Sequence, residues 1–173
     1  MNNDIRTPKS FPVTVYHSGY HGNAQNCKYP YSGTGSTPDE LKKLFRYDHT
    51  FIRFKNNYRS KENFLEATVA TLDNDNDHSD DPAEWIPIEA IPELFPGVPC
   101  VVSTSRHHMK QKGNRSPRPR YHVAFQIDTI QSPEEYTAFL TRVQALFPFF
   151  DSKALDIHNN FSNIFLYSRN RTE

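Results

Sequence analysis

Cysteine is scarce: Cys27 and Cys100 are the only two thiols in the chain. Two cysteines cannot build a disulfide framework or a four-thiolate zinc centre, and their rarity points to a reducing compartment. Glycine is also sparse, six in 173 residues, and the lone Gly33-x-Gly35 is too little for a phosphate-cradling loop. No apolar run approaches the ~20 residues of a membrane span, and the opening MNNDIRTPKS has no apolar signal core. An intracellular protein with no membrane partner is expected. Hydrophobic residues reach only 36%, but 13% are aromatic, so few side chains can still fill one core, with room for an accessory subdomain. The ending SRNRTE reads either as a natural tail or as the cut end of a longer protein.

Net charge is absent too, because two segments of opposite sign cancel. Between Thr71 and Trp85 six of fifteen residues are acidic and none basic, whereas Arg106–Arg120 carries six Lys or Arg and no acid. Whole-chain charge therefore decides nothing about partners, and its distribution does.

Residues 1–66 read as a small N-terminal α/β subdomain. A strand-like run at Phe11–Tyr16 precedes a Gly/Ser/Asn/Tyr-rich loop. Thr37-Pro38-Asp39-Glu40 then opens a helix, with Thr37 as N-cap and Glu40 closing a capping box. Phe51–Phe54 reads as a further strand. Residues 67–173 are more regular. Thr68–Leu72, Pro99–Ser105, Arg120–Ile127 and Asn163–Ser168 read as strands. One helix is expected from Ser79 or Asp80 towards Pro96-Gly97, and a stronger one from Ser132 to about Phe147. The order β-α-β-β-α-β is that of an α+β, ferredoxin-like or RRM-like palm. Its antiparallel sheet has strand order 4-1-3-2, with both helices on one face.

In that topology the end of the first palm strand lies beside the start of the third. Asp73 and Asp75 then face Arg120 and His122 on the side away from the helices, and Asp151 can reach the same end. Tyr121, Val123, Phe125 and Ile127 pack beneath the helices. Three converging carboxylates repel one another unless cations lie between them. Hard oxygen donors select Mg²⁺ or Mn²⁺, and a pair of such metal ions, with His122 and nearby arginines as donors to a triphosphate, suits phosphoryl transfer.

These residues resemble the archaeo-eukaryotic primase–polymerase superfamily, particularly versions carried by phages, plasmids and integrative elements of bacteria. The likeness rests on LDNDNDHSDDPAEW (Asp73, Asp75), SPRPRYHVAF (His122) and FPFFDSKALD (Asp151), with TSRHHMKQKG, NCKYP and FKNNYRSKENF in support. It implies a DNA primase or polymerase core that adds nucleotides from nucleoside triphosphates on a single-stranded DNA template. Asp73, Asp75 and Asp151 would be catalytic and hold two Mg²⁺ or Mn²⁺ ions. His122, Arg120, Arg118, Lys110, Lys112 and Ser105 would bind the nucleotide, and Arg59, Asn63 and Arg106 the nucleic acid. A helicase or primer-binding domain outside the chain is an implied partner, and the bacterial cytoplasm the implied location. One departure stands out: the last strand is preceded by Asn159, Asn160 and Asn163, where such proteins often have an arginine.

Three other readings compete. Asp73, Asp75, Asp77, Ser79, Asp81 and Glu84 have the spacing of an EF-hand-like calcium loop, but His78 replaces its turn glycine and Pro82 interrupts it. His107 and His108 suggest a rolling-circle nicking palm, yet adjacent histidines on a strand face opposite ways. A passive RNA-recognition module would place aromatic residues, not acids, on its central strands.

Overall fold

The structure is a computed structural model that describes residues 12–23 and 25–155 and the backbone of 166–168. It is an α+β arrangement of two antiparallel sheets. The smaller sheet joins β1 (Val13–His17), β2 (Tyr31–Gly35) and β3 (His49–Thr50) in the order β2-β1-β3. Helix α1 (Pro38–Phe45) lies against it and starts as its sequence dictates. Thr37 Oγ1 accepts from the Glu40 N–H at 3.3 Å, and the Glu40 carboxylate accepts from the Thr37 N–H at 3.2 Å. Gly33 and Gly35 permit the close approach of that helix. A Cβ on Gly33 would lie 2.6 Å from the Leu44 side chain, and one on Gly35 2.9 Å from that of Leu41.

The larger sheet contains β4 (Ile52–Phe54), β5 (Phe64–Asn74), β6 (Cys100–Thr104), β7 (Tyr121–Ile130) and β8 (Leu166–Ser168). Its order is β4-β5-β7-β6-β8. The central pair is the expected one, but the edges are not. The last strand lies outside β6, not beside β5, and β4 occupies the edge beside β5. A short connection joins β4 to β5, so antiparallel pairing there is local, whereas β8 must return from the far end of the chain. The expected subdomain boundary at residue 66 falls inside β5, and β4 comes from the N-terminal third.

One face of this sheet is covered by α3 (Pro133–Leu146), whose Tyr136 and Leu140 are buried against Ala70, Leu72, Val123 and Phe125. Between β5 and β6 the long helix expected from sequence is absent. Two single 3₁₀ turns, Pro82–Glu84 and Ile88–Ala90, lead to the one-turn α2 (Ile91–Leu94). Prolines at 82, 87, 92 and 96 each lack an N–H, so no helix can propagate through them.

The opposite face was expected to be open. Instead Val13, Val15, Leu41, Phe45 and Phe51 of the N-terminal unit pack on Val69, Val101 and Ala124. The end of that face where β5 and β7 reach Asp73 and His122 keeps partial contact with solvent. No helix among the described residues is long and apolar enough to cross a membrane.

Candidate functional site

Residues 73–77 read Asp-Asn-Asp-Asn-Asp, and the alternation decides which side chains face outward. Asn74 and Asn76 are fully buried. The Asn74 amide donates to the Tyr121 hydroxyl at 2.8 Å, and its carbonyl accepts the Asn76 N–H at 2.7 Å. Asn76 adopts φ 52°, in the left-handed region that asparagine tolerates. Its amide donates to the Ile86 and Pro119 carbonyls at 3.1 and 2.7 Å, and its oxygen accepts the Ile86 N–H at 2.8 Å. Burial pushes the Tyr121 phenol well above its ordinary value, which keeps its O–H available to donate to Ile86 at 3.0 Å. This buried network fixes the turn out of β5, and the aspartates are left on its outer side.

Asp73, His122 and Ser103 are register partners across β5, β7 and β6, so they form one row. His122 Nδ1 contacts the Asp73 carboxylate directly. A carboxylate can only accept, so Nδ1 is the protonated nitrogen and Asp73 orients the ring. The Asp73 and His122 side chains are 25% and 18% exposed, enough for a ligand to reach. Asp151 arrives at the same place after α3: its N–H donates to the Asp73 carbonyl oxygen at 2.8 Å. Its carboxylate, however, accepts from the Lys153 N–H at 2.8 Å and caps the Ser152–Ala154 turn.

The remaining acids meet the basic segment. Asp75 contacts Lys112 Nζ and lies 3.8 Å from Arg120 Nε. Asp77 is 3.6 Å from Arg118 and 3.8 Å from Arg120. Asp80 accepts from Arg118 at 2.9 Å and Arg115 at 2.7 Å, and these two guanidiniums hold its carboxyl below the usual range. The acidic turn and the basic hairpin therefore neutralise each other and form one substructure.

Arg118 and Arg120, expected to contact phosphate, are 1% and 0% exposed. Arg118 donates to the Asn76 and Ser79 carbonyls, both at 3.0 Å, and its guanidinium lies 5.0 Å from the Trp85 ring centre. Arg120 donates to the carbonyls of Lys110 at 2.8 Å and His107 at 3.2 Å. Both are structural ties: a guanidinium leaves water only where carbonyls and carboxylates replace its hydration. Lys110 and Arg106 are exposed on the same segment, and Lys112 is exposed apart from its pairing with Asp75. Ser105 closes the neck of the segment, its N–H donating to the Arg120 carbonyl at 2.9 Å.

Other expected residues have partners close in the chain or in the N-terminal unit. Arg59 is buried with its guanidinium 3.9 Å from Cys27 Sγ and 5.9 Å from the Tyr29 ring centre. Asn63 ends a 3₁₀ turn, its N–H bonded to Ser60 Oγ. His108 Nδ1 lies 3.0 Å from the Arg120 carbonyl oxygen.

Among the described residues no group of three or more His, Cys, Asp or Glu side chains is arranged to hold an ion. That holds for the calcium loop and for the Asp73, Asp75 and Asp151 set alike, and the Asp81 carboxylate of the loop caps the Pro82–Glu84 turn. For Mg²⁺ or Mn²⁺ the donors near Asp73 fit in kind and in chain position. Their carboxylates are turned to His122, to Lys112 and Arg120, and to the turn after Asp151.

His49 carries no motif, and sequence reasoning passed over it. It is fully buried on β3, stacked on Phe45 at 4.5 Å between ring centres. Burial pushes its imidazole down to about 3, with His122, His17 and His21 adding to the shift. No family of known proteins, no curated protein and no solved structure matches the chain.

Proposed function

We propose that this chain is the catalytic core of a metal-dependent nucleotidyl transferase of the primase–polymerase type, which extends nucleic acid on a single-stranded DNA template. The observation that carries the reading is that Asp73 pairs with His122 and that the Asp151 backbone joins that of Asp73. They come from three separated segments, which the expected topology brought to one end of the sheet and the resemblance singled out. The palm of this reading is the β5-β7-β6 sheet with α3 behind it, flanked by β4 and β8 in an order of its own.

In this reading Asp73, Asp75 and Asp151 hold the divalent ions, and His122 faces the triphosphate. The ions would supply charge neutralisation for the transferring phosphoryl group and its leaving pyrophosphate. The chain's own residues prepare the place. Asp73 sets the ring orientation of His122, and the Asn74–Asn76–Tyr121 network holds the Asp75 backbone at the end of β5. Lys112 and Lys110, on an exposed turn, are the cations available to an incoming polyphosphate. Arg118 and Arg120 support the turn from beneath.

The test is incubation of the protein with single-stranded template, labelled ribo- or deoxyribonucleoside triphosphates and Mg²⁺ or Mn²⁺, with and without a primer. Template-dependent incorporation is expected, and it should disappear in Asp73→Asn while His122→Ala chiefly raises the nucleotide KM. No incorporation under any combination, or full activity in Asp73→Asn, would overturn the reading.

A further inference from the structure

The N-terminal unit contains a ladder of rings that belongs to neither apolar core. Tyr31 stacks on His17 with ring centres 5.6 Å apart and planes at 30°. His17 stacks on Tyr47 at 4.9 Å and 13°, and the Arg46 guanidinium sits 5.4 Å from the Tyr47 ring centre. The backbone builds the ladder deliberately: His17 ends β1 exactly opposite Tyr31, which begins β2, and Tyr47 follows α1. The His17 ring is held by its Nδ1 contact with the Ser18 carbonyl oxygen at 2.8 Å.

A tyrosine stacked within a core hides its apolar faces, but Tyr31 is 56% exposed at the end of this ladder and Tyr20 on the following loop is 49% exposed. Preordered aromatic faces in water favour flat, apolar partners. The surrounding charge selects among these. Arg46 caps the ladder, and Lys42 and Lys43 lie in the last turn of α1 just before it, Lys42 being 3.7 Å from the exposed Asp39. Flat rings on a polyanionic chain are the bases of single-stranded nucleic acid, and stacking faces set in a cationic surface are how such strands are held without sequence preference. A duplex keeps its base faces covered and cannot use them.

We propose that the Tyr31–His17–Tyr47–Arg46 ladder is a base-stacking platform for single-stranded nucleic acid. Its location suits the candidate site. His17 is the register partner of His49, and His49 is within electrostatic reach of both His17 and His122. The platform therefore lies one strand away from the residue that approaches the Asp73–His122 row. That the bound strand is a template rests on the function proposed above, whereas the stacking itself does not.

The experiment measures fluorescence anisotropy of labelled oligo-dT and oligo-rU strands and of a duplex of equal length. It uses the full chain in EDTA without triphosphates, so neither metal nor catalysis enters. The expected result is binding of one or both single strands more tightly than the duplex. Tyr31→Ala and Tyr31→Leu should each weaken single-strand binding by roughly tenfold, while Tyr31→Phe stays near wild type. Leucine keeps apolar area but not the ring, so its failure separates stacking from simple burial. Equal affinity for duplex and single strand, no single-strand binding at low salt, or unchanged binding in Tyr31→Ala would each overturn the platform. Asp73→Asn is the arm that separates the two ideas: it should abolish incorporation and leave anisotropy unchanged.

Discussion

The N–H of Asp151 donates to the backbone carbonyl of Asp73 at 2.8 Å, so the meeting of these two segments does not depend on either carboxylate. The Asp151 side chain has a local task of its own, capping the Ser152–Ala154 turn. Asparagine performs that task nearly as well as aspartate, and alanine does not. Asp151→Asn should therefore melt near the wild-type temperature, while Asp151→Ala loses about 1 kcal/mol. If the carboxylate takes part in transfer, both variants lose incorporation despite their different stabilities. Denaturation curves beside incorporation rates check this, and an active Asp151→Asn would remove that residue from the chemistry.

Asn76 is the hinge of the acidic turn, and its removal should cost far more than that of any exposed aspartate around it. Alanine would forfeit the side-chain bonds to Ile86 and Pro119 and would place an unassisted Cβ residue at φ 52°. A loss of about 3 kcal/mol or more is expected from the unpaired buried groups and the backbone strain together. Asn76→Gly should recover part of that loss, because glycine adopts positive φ freely. Urea midpoints of the two variants give the comparison.

What the sequence revealed divides along the distance over which each feature is decided. The capping box at Thr37 and Glu40, the helix after Ser132 and the alternation of Tyr121, Val123 and Phe125 depend on neighbours in the chain, and all three are present. The Asp73–His122 pairing followed because the two central strands are antiparallel and each ends near its motif. The edges of the sheet were not legible, since β4 and β8 compete for places that only tertiary packing assigns. Nor was the burial of Arg118 and Arg120, which requires the acidic turn to fold back over them. Asn74 and Asn76 could have been found: asparagines at alternate positions between aspartates on a strand leaving a core signal one inward and one outward face.

His49 makes stability depend on pH in a defined window. Its folded value of about 3 lies below the ~6.5 of an exposed histidine. A depressed folded value means that the unfolded chain binds the proton first. The stabilisation is thus complete above about pH 6.5 and is lost as pH falls towards 3, by at most about 1.4 kcal/mol per pH unit. His49→Phe keeps a ring against Phe45 and Phe51 but cannot take up a proton. Between pH 7.5 and 4.5 the urea midpoint of the wild type should fall more steeply than that of the variant. Parallel curves would show that His49 is not the group responsible.

Lys112 sits against the Asp75 carboxylate, the place a divalent ion would need if Asp75 is a ligand. The contact joins its ammonium to the carboxylate, and the next positive group, Arg120 Nε, is 3.8 Å away and buried. A divalent ion sharing Asp75 must displace that ammonium or bear its repulsion, which for a doubly charged ion about 4 Å away is roughly 2 kcal/mol even at the dielectric of bulk water. Lys112→Met preserves the length and apolar stem of the side chain and removes the charge. Mn²⁺ titration of the nucleotide-free protein should then show affinity at least roughly fivefold higher than wild type, since the flexible lysine can swing away and relieve part of the repulsion. Adding a triphosphate should narrow the difference, because the lysine gains phosphate oxygens as alternative partners. Equal Mn²⁺ affinity in the two proteins would mean that Asp75 is not a ligand, and the metal set would have to be drawn from Asp73 and Asp151 alone.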